Sequence, residues 1–147
     1  MPRDALIPNG QKILPEGPDC VAQLTAQVDA LNDQLRHHSA TDVLRTAIKQ
    51  VPNLALVSSF GAESVALLHL AAMVKRDLPV VFIDTEMLFA ETLVYQHELA
   101  ERLGLRNIQT IRAADIADKD PDGTLHLRDT DACCALRKTF PLQTALE

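Results

Sequence analysis

Three short apolar runs alternate with two longer helical patterns, and this alternation constrains the fold more than any other feature of the sequence. The runs cover residues 54–57, 79–83 and 107–111, and each is short enough to be a buried strand. Helical patterns fill the two intervals, and Gly104 follows the second one at the position where helices stop. Strands that alternate with helices through short connections indicate parallel βαβ units. The sequence therefore predicts an α/β fold with a Rossmann-like parallel sheet over residues 53–147.

The part before residue 53 is predicted to lie outside this sheet. Residues 1–20 are rich in proline and are expected to form an irregular leader, and residues 21–52 are expected to form two helices, the second from Thr41 to about Val51. The first helix carries an apolar stripe at three- and four-residue steps, which is typical of a helix that packs or dimerises: Val21, Leu24, Val28, Leu31 and Leu35. A homo-oligomer formed through this helix therefore stays open.

Composition excludes several classes of function. The chain has 147 residues, enough for one domain, and a formal net charge of −6, which argues against a nucleic-acid partner. No stretch approaches the apolar length of a membrane span, and the start of the chain is too polar for a signal peptide. We therefore expect a cytoplasmic protein without a membrane partner, whose three cysteines stay reduced.

The loop after the first strand is the first candidate site, because ligands of open α/β sheets sit beyond the carboxyl ends of the strands. Its sequence is SSFGAES, and its single glycine, Gly61, excludes both the Walker A loop and the three-glycine dinucleotide fingerprint. Gly61 is predicted to permit a tight turn, while hydroxyls and free amides at the helix start hold a phosphate or sulfate. The alternative is that Ser59 or Ser64 only caps the helix. The candidate substrate-binding residues here are Ser58, Ser59, Phe60, Gly61, Glu63 and Ser64.

The loop after the second strand supplies two more candidates. Asp84 and Thr85 follow the apolar run 79–83, and the Asp84 carboxylate could accept hydrogen bonds from a ribose or from an adenine amine. The alternative is that Asp84 caps its own loop.

Two adjacent cysteines, Cys133 and Cys134, form the third candidate site. A disulfide between neighbours is strained, so metal ligation or redox chemistry is the better interpretation of the pair. The basic residues Arg137 and Lys138 follow closely and would stabilise thiolates, whereas the alternative is a pair of inert buried thiols. No role is assigned to Cys20.

Two resemblances connect these motifs. Residues 59–64 resemble the Ser-Gly-Gly-Lys-Asp-Ser loop of the adenine-nucleotide pyrophosphatase (PP-loop) superfamily, except that Ala62 replaces the lysine that suits a triphosphate. The segments SSFGAES, VFIDTEMLFAETL and CCALRKTFPL, in that order, resemble the assimilatory adenylyl-sulfate and phosphoadenylyl-sulfate reductases. This resemblance covers about residues 54–147. One departure is Glu86, where relatives usually have glycine, which questions the usual shape of the loop and adds a charge unfavourable to an anionic substrate.

The reductase resemblance implies a function and a cofactor. It implies thioredoxin- or glutaredoxin-dependent reduction of adenylyl sulfate to sulfite and AMP, on a PP-loop-type sheet that is incomplete at its C-terminus. In that family a four-iron, four-sulfur cluster is ligated by a cysteine pair matching Cys133 and Cys134 and by a second C-x-x-C pair. Lys138 matches a lysine between cluster and substrate, although a solvated surface charge is its alternative reading.

The same resemblance implies that part of the machinery lies beyond residue 147. The second cysteine pair, the substrate-binding arginines and the nucleophilic cysteine of the family are all expected downstream. The chain is therefore interpreted as an N-terminal portion that supplies nucleotide binding and half of the cluster ligands. We expect the cluster to be absent or incomplete on this chain alone, and we do not expect independent activity.

Three other functions remain open at this stage. The first is reduction of phosphoadenylyl sulfate, although enzymes using that substrate generally lack the cysteine pair. The second is a PP-loop pyrophosphatase or adenylating enzyme, against which Ala62 weighs. The third is a non-catalytic binding module.

Overall fold

The computed structural model describes residues 17–147, which fall in two compact units divided between Ser39 and Ala40. In the first unit, helix α1 (Pro18–Leu35) begins inside the segment predicted to be irregular. A proline is well tolerated in the first turn of a helix because no hydrogen bond is required of its nitrogen there. The predicted leader is therefore wrong for residues 18–20, while residues 1–16 lie outside the described residues.

Helix α1 carries its apolar stripe without burying it. None of its residues is buried, and Val21, Leu24 and Val28 are exposed. Dimerisation through this stripe stays a prediction.

The second unit begins with alternating helices and strands. In chain order these are α2 (Ala40–Gln50), β1 (Leu56–Val57), α3 (Ser64–Val74), β2 (Val80–Ile83), α4 (Ala90–Leu103) and β3 (Ile108–Ile111). Short helices follow, namely α5 (Ile116–Lys119), α6 (Leu125–Arg128), α7 (Thr130–Cys134), a π-helical segment (Ala135–Thr139) and α8 (Phe140–Leu146). The predicted alternation is confirmed, although β1 is two residues long where the apolar run suggested four.

The three strands form one parallel sheet in the order β1-β2-β3. Val80 lies opposite Leu56 on one side and Ile108 on the other, so β2 is the central strand. The α/β class with a parallel sheet is therefore confirmed. All three strands point the same way, so their carboxyl ends lie along one edge.

Helix α2 belongs to the α/β unit because it packs against α3. The sequence predicted a boundary between residues 52 and 53 instead, with both early helices on its N-terminal side. The difference arises because a periodic stripe predicts a helix but does not say which element covers it.

The core lies between the sheet and its helices. Its buried residues come from β2, α3, α4 and the loop after β1: Phe60, Leu68, Val80, Phe82, Leu99 and Ala100. The rings of Phe60 and Phe82 meet edge to face with their centroids 5.5 Å apart. This contact anchors the loop after β1 to the central strand.

Two helix ends have clear causes in the sequence. Helix α4 ends at Gly104, whose φ of 69° is left-handed and whose N–H donates to the carbonyls of Ala100 and Glu101, as predicted for a glycine stop. The π-helical segment precedes Pro141, which has no N–H for the carbonyl of Arg137 and whose ring would collide with it in a regular α-helix. Widening the turn before the proline avoids that collision.

Across residues 17–147 we find no helix whose length and apolar character would let it cross a bilayer.

The neighbouring leucines of α3 provide a test of this packing. Leu68 is 1 % exposed and Leu67 is 47 % exposed. Replacing Leu68 by alanine should lower the free energy of unfolding by about 2–5 kcal/mol, because it leaves a cavity under the sheet. The control Leu67→Ala should cost less than about 1 kcal/mol. Urea unfolding followed by circular dichroism measures both, and equal losses would contradict the packing described.

Candidate active site

Each strand of the sheet is followed directly by a polar residue at the carboxyl edge. Ser58 follows β1, Asp84 follows β2 and Arg112 follows β3. The sheet ladder continues into these residues, since the Ser58 N–H donates to the Val81 carbonyl at 3.0 Å. In the same way, the Asp84 N–H donates to the Ile111 carbonyl at 2.9 Å. The three residues therefore lie side by side at the edge where ligands of such sheets bind.

The loop after β1 makes its tight turn at Phe60. Phe60 has a φ of 57°, and its N–H donates to the buried Ser58 hydroxyl at 3.0 Å. A left-handed conformation is costly for a bulky residue, and burial of the Phe60 ring offsets that cost. The prediction that Gly61 supplies the turn is wrong, because Gly61 is not in the left-handed region. A Cβ at Gly61 would meet only the Ser59 hydroxyl, at 3.6 Å.

No side chain caps the start of α3. The N-cap residue is Glu63, which makes no side-chain cap bond, and the Ser64 N–H donates to the Gly61 carbonyl at 2.9 Å. The alternative in which Ser59 or Ser64 caps the helix is therefore not what the structure shows. The first-turn N–H groups of α3 remain available to an anionic ligand.

Asp84 is 3 % exposed and holds together two loops. One carboxylate oxygen accepts from the Glu86 N–H at 2.9 Å, and the other accepts from Arg112, from Nε at 2.8 Å and from Nη2 at 2.7 Å. Burial, the largest single influence, raises the pKa of Asp84, but the hydrogen bonds from Glu86 and Arg112 and the Arg112 charge outweigh it and leave the pKa lowered. Asp84 thus caps its own loop, as the alternative reading had it, and also binds Arg112.

Thr85 and Glu86 complete the turn after β2. Thr85 is buried, and its hydroxyl accepts from the Met87 N–H at 3.3 Å. Glu86 has a φ of 59°, so it adopts the left-handed conformation that glycine takes without strain. The replacement of glycine by Glu86 has therefore kept the backbone turn and added strain to it.

The cysteine-bearing helix presents two Cys–cation pairs at a spacing of four residues. Asp129 caps α7 by accepting from the Ala132 N–H at 2.9 Å. On the inner face, Cys133 and Arg137 are buried, whereas Cys134 and Lys138 are exposed. The alternative of a pair of buried inert thiols thus fits Cys133 but not Cys134.

Arg137 is a site residue whose importance the sequence did not show. One of its Nη atoms donates to Asp120 Oδ2 at 2.6 Å, and the other donates to the Thr85 carbonyl oxygen at 2.7 Å. The hydrogen bond to Asp120 is the largest cause that raises the pKa of Arg137, and the nearby Cys133 adds to it. The same hydrogen bond lowers the pKa of Asp120, which is buried and also accepts from the Leu125 N–H at 2.9 Å.

The cysteine pair has the donor chemistry of an iron–sulfur site but only part of the ligand set. Such clusters take about four thiolate ligands, and this helix supplies two. Within the described range 17–147, no group of three or more His, Cys, Asp or Glu side chains could hold a metal ion. Cys20 lies on α1, in the other unit.

A groove of about 610 Å³ opens beside the candidate site. It lies between the loop after β3 and α8, with Arg112 and Lys119 on one wall and Phe140 on the other. A second hollow of about 640 Å³ is lined by Leu54 and Pro79, at the amino ends of β1 and β2. The first groove is therefore the one on the ligand-binding edge of the sheet.

The geometry can be compared with known proteins. The family profile of the phosphoadenosine phosphosulfate reductase domain matches residues 53–147, which is the α/β segment predicted from the sequence. The chain belongs to this family. The match includes all three candidate sites, because they lie between Ser58 and Lys138.

Curated relatives of this reductase domain carry two names. The adenosine 5'-phosphosulfate reductase of Mesorhizobium japonicum is 43% identical over 84% of this chain and 49% of its own length. That of Chelativorans sp. is 38% identical over 84% of this chain and 54% of its length. The phosphoadenosine 5'-phosphosulfate reductase of Alkalilimnicola ehrlichii is 41% identical over 62% of this chain and 37% of its length. The chain thus spans about half the length of the curated relatives it matches.

A solved structure supports the same fold. The phosphoadenylyl-sulfate reductase of Candida auris, crystallised as a phosphate complex, is similar with a TM-score of 0.70 and 27% sequence identity. The similarity covers 80% of this chain and 60% of that one. The family and the parallel α/β fold predicted from the motifs are therefore confirmed, whereas the roles of the individual site residues stay predictions.

The strain at Glu86 can be measured by comparing two variants. Glu86→Gly should raise the free energy of unfolding by up to about 1 kcal/mol, since relief of the left-handed strain exceeds the added flexibility of the unfolded chain. Glu86→Ala keeps a Cβ and removes the charge, so it should match the parent within about 0.5 kcal/mol. Urea unfolding measures both, and an alanine variant as stable as the glycine variant would assign the effect to charge instead.

The lowered pKa of Asp84 predicts how stability depends on pH. A carboxyl group whose pKa is lower in the folded state stabilises the fold above its unfolded pKa of about 3.9, and this contribution is lost as the pH falls through the folded value. The stability difference between the parent and Asp84→Asn should therefore shrink between about pH 6 and pH 3. Denaturant titrations at each pH measure it, with Asp118→Asn on the surface of α5 as the charge control. A difference independent of pH would contradict the described pairing.

Proposed function

We propose that this reductase domain binds adenylyl sulfate at the carboxyl edge of its sheet, as the nucleotide-binding part of an enzyme that reduces adenylyl sulfate to sulfite and AMP. The observation that carries the proposal is the convergence of Ser58, Asp84 and Arg112 at that edge, within a segment matched by the reductase family. The substrate contains a sulfate–phosphate anion and an adenosine. The loops after β1 and β2 offer groups suited to each.

The loop after β1 is the proposed site of the anionic end. The uncapped first turn of α3 presents N–H groups and the positive end of the helix dipole, and the Ser59 and Ser64 hydroxyls lie beside it. Ala62 brings no cation to this loop, so the site suits a nucleotide with fewer charges than ATP.

The turn after β2 is the proposed site of the adenosine. An ionised carboxylate has about four positions for accepting hydrogen bonds, and Asp84 uses three of them for Glu86 and Arg112. The remaining position can accept from a ribose hydroxyl or an adenine amine. Thr85 and the exposed Arg112 provide further polar groups beside it.

The cysteine pair favours adenylyl sulfate over its 3'-phosphorylated form, because the resemblance connects the pair with enzymes of the first type. We propose that Cys133 and Cys134 supply two thiolates to an iron–sulfur cluster in the full-length protein, with Lys138 near cluster and substrate. Such a cluster would place a large local charge beside the substrate-binding loops.

The reduction also needs electrons from outside the domain. Release of sulfite and AMP from adenylyl sulfate consumes two electrons, which a thioredoxin or glutaredoxin dithiol supplies as it becomes a disulfide. The reduced thiols that this requires are typical of the cytoplasm. Both the partner and the location are parts of this proposal.

Calorimetry with purified nucleotides tests the binding proposal. The protein should bind adenylyl sulfate and AMP, and it should bind ATP at least about tenfold more weakly because no lysine faces the triphosphate. Gly61→Val should lose most of the binding yet remain folded, since a Cβ there meets only the Ser59 hydroxyl at 3.6 Å. Ala117→Val, on the exposed surface of α5, is the matched control.

Other outcomes would point to other functions. Tighter binding and hydrolysis of ATP would favour a PP-loop pyrophosphatase. Binding of none of the three nucleotides by a folded protein would overturn the proposal and favour a binding module.

A further inference from the structure

Arg137 connects three segments that are far apart in the sequence. Its side chain is 4 % exposed and bonds to Asp120, between α5 and α6, and to the carbonyl of Thr85, in the turn after β2. The sulfur of Cys133, one helical turn earlier, also interacts with the guanidinium. A buried arginine with this many partners is uncommon, because burial of a charge is costly unless it is paired.

The bond to Thr85 joins the cysteine-bearing helix to the proposed nucleotide turn. Its other helical neighbours lie elsewhere, since α7 packs on α6 and α8 packs on β3. Among the hydrogen bonds of residues 17–147, Arg137 Nη1 to Thr85 O is the one that reaches from the π-helical segment to the turn after β2. A charged donor makes this bond stronger than one between neutral groups.

Asp120 fixes the direction of the guanidinium. The planar fork of an arginine can satisfy a carboxylate and a carbonyl at the same time, which the single ammonium of a lysine cannot do with equal geometry. Asp120 is itself held by the Leu125 N–H. The Thr85 carbonyl is therefore bonded by a donor with little freedom to move.

The remaining donor of Arg137 is not yet used. The Nε atom is buried and has no hydrogen-bond acceptor in the part of the chain that the structure describes. Natural proteins rarely leave such a donor unpaired. The guanidinium therefore retains one donor for an acceptor that arrives at the site.

We propose that Arg137 is a positioning residue that holds the 84–87 turn in its nucleotide-binding shape from the cysteine-bearing helix. The inference rests on the proposed function in one respect, namely that this turn contacts the nucleotide. The effect on the turn itself does not depend on any ligand.

Hydrogen exchange at the turn tests this inference directly. The amides of Glu86 and Met87 are bonded to the Asp84 and Thr85 side chains, so their exchange reports the order of the turn. Arg137→Lys keeps a cation beside Asp120 but cannot hold both partners, so it should speed exchange at these two amides by about tenfold. Amides in α3 and α4 should stay within about twofold of the parent. An arginine that serves only to neutralise Asp120 would be replaced by lysine without change at the turn.

Nucleotide affinity gives the second measurement. Arg137→Lys should weaken binding of AMP by about tenfold in calorimetry, since the binding shape of the turn is then less populated. The control is Arg128→Lys, which alters an exposed pair with Asp122 at 3.0 Å and should change neither measurement. If Arg137→Lys does not fold, the pair Asp120→Asn with Arg137→Gln removes both buried charges together and should show the same effects.

The outcomes separate the two proposals. Exchange at Glu86 and Met87 within about twofold of the parent, in a folded variant, overturns the role of Arg137. A parent protein that binds no AMP overturns the proposed function, while the exchange measurement still decides the role of Arg137.

Discussion

The burial of the central strand β2 is the constraint on which the rest of this structure depends. Both edges of β2 are paired, and Val80, Val81 and Phe82 are nearly inaccessible to solvent. Parallel strands buried in this way need helices on their connections, and α3 and α4 supply them. The register of β2 then determines where the chain leaves the core, so that Asp84 emerges beside Ser58 and Arg112. The left-handed Phe60 is held by the same strand, because its ring rests on Phe82.

Much of this arrangement could be predicted from the sequence, because it depends on local patterns. Apolar runs marked the three strands to within two residues at either end, and the glycine stop at Gly104 was correct. The order of the three motifs identified the family before any coordinates were considered. Such features succeed because period and turn chemistry are encoded within a few neighbouring residues.

The parts that could not be predicted depend on contacts between distant residues. Arg112 binds Asp84 across 28 positions, and Arg137 binds Asp120 across 17 and Thr85 across 52. No periodic pattern distinguishes a buried arginine from an exposed one such as Arg128. The one available signal was the place of Arg112, directly after the third strand. The turn at Phe60 was missed for another reason, since glycine is the default choice for a left-handed residue and Gly61 is adjacent.

The π-helical segment has a consequence for how the cysteine pair can vary. In an α-helix each residue advances the chain by about 100° around the axis, whereas a π turn closes its hydrogen bond one residue later. The extra residue changes the angular phase between Cys133 and everything after Pro141. Shortening the segment by one residue would restore an ordinary helix, and it would rotate Phe140 and the groove wall relative to the cysteines by about that angle. The length of the stretch between Cys134 and Pro141 is thus as much a part of the site as its side chains, and insertions tolerated in the neighbouring loops would not be neutral there.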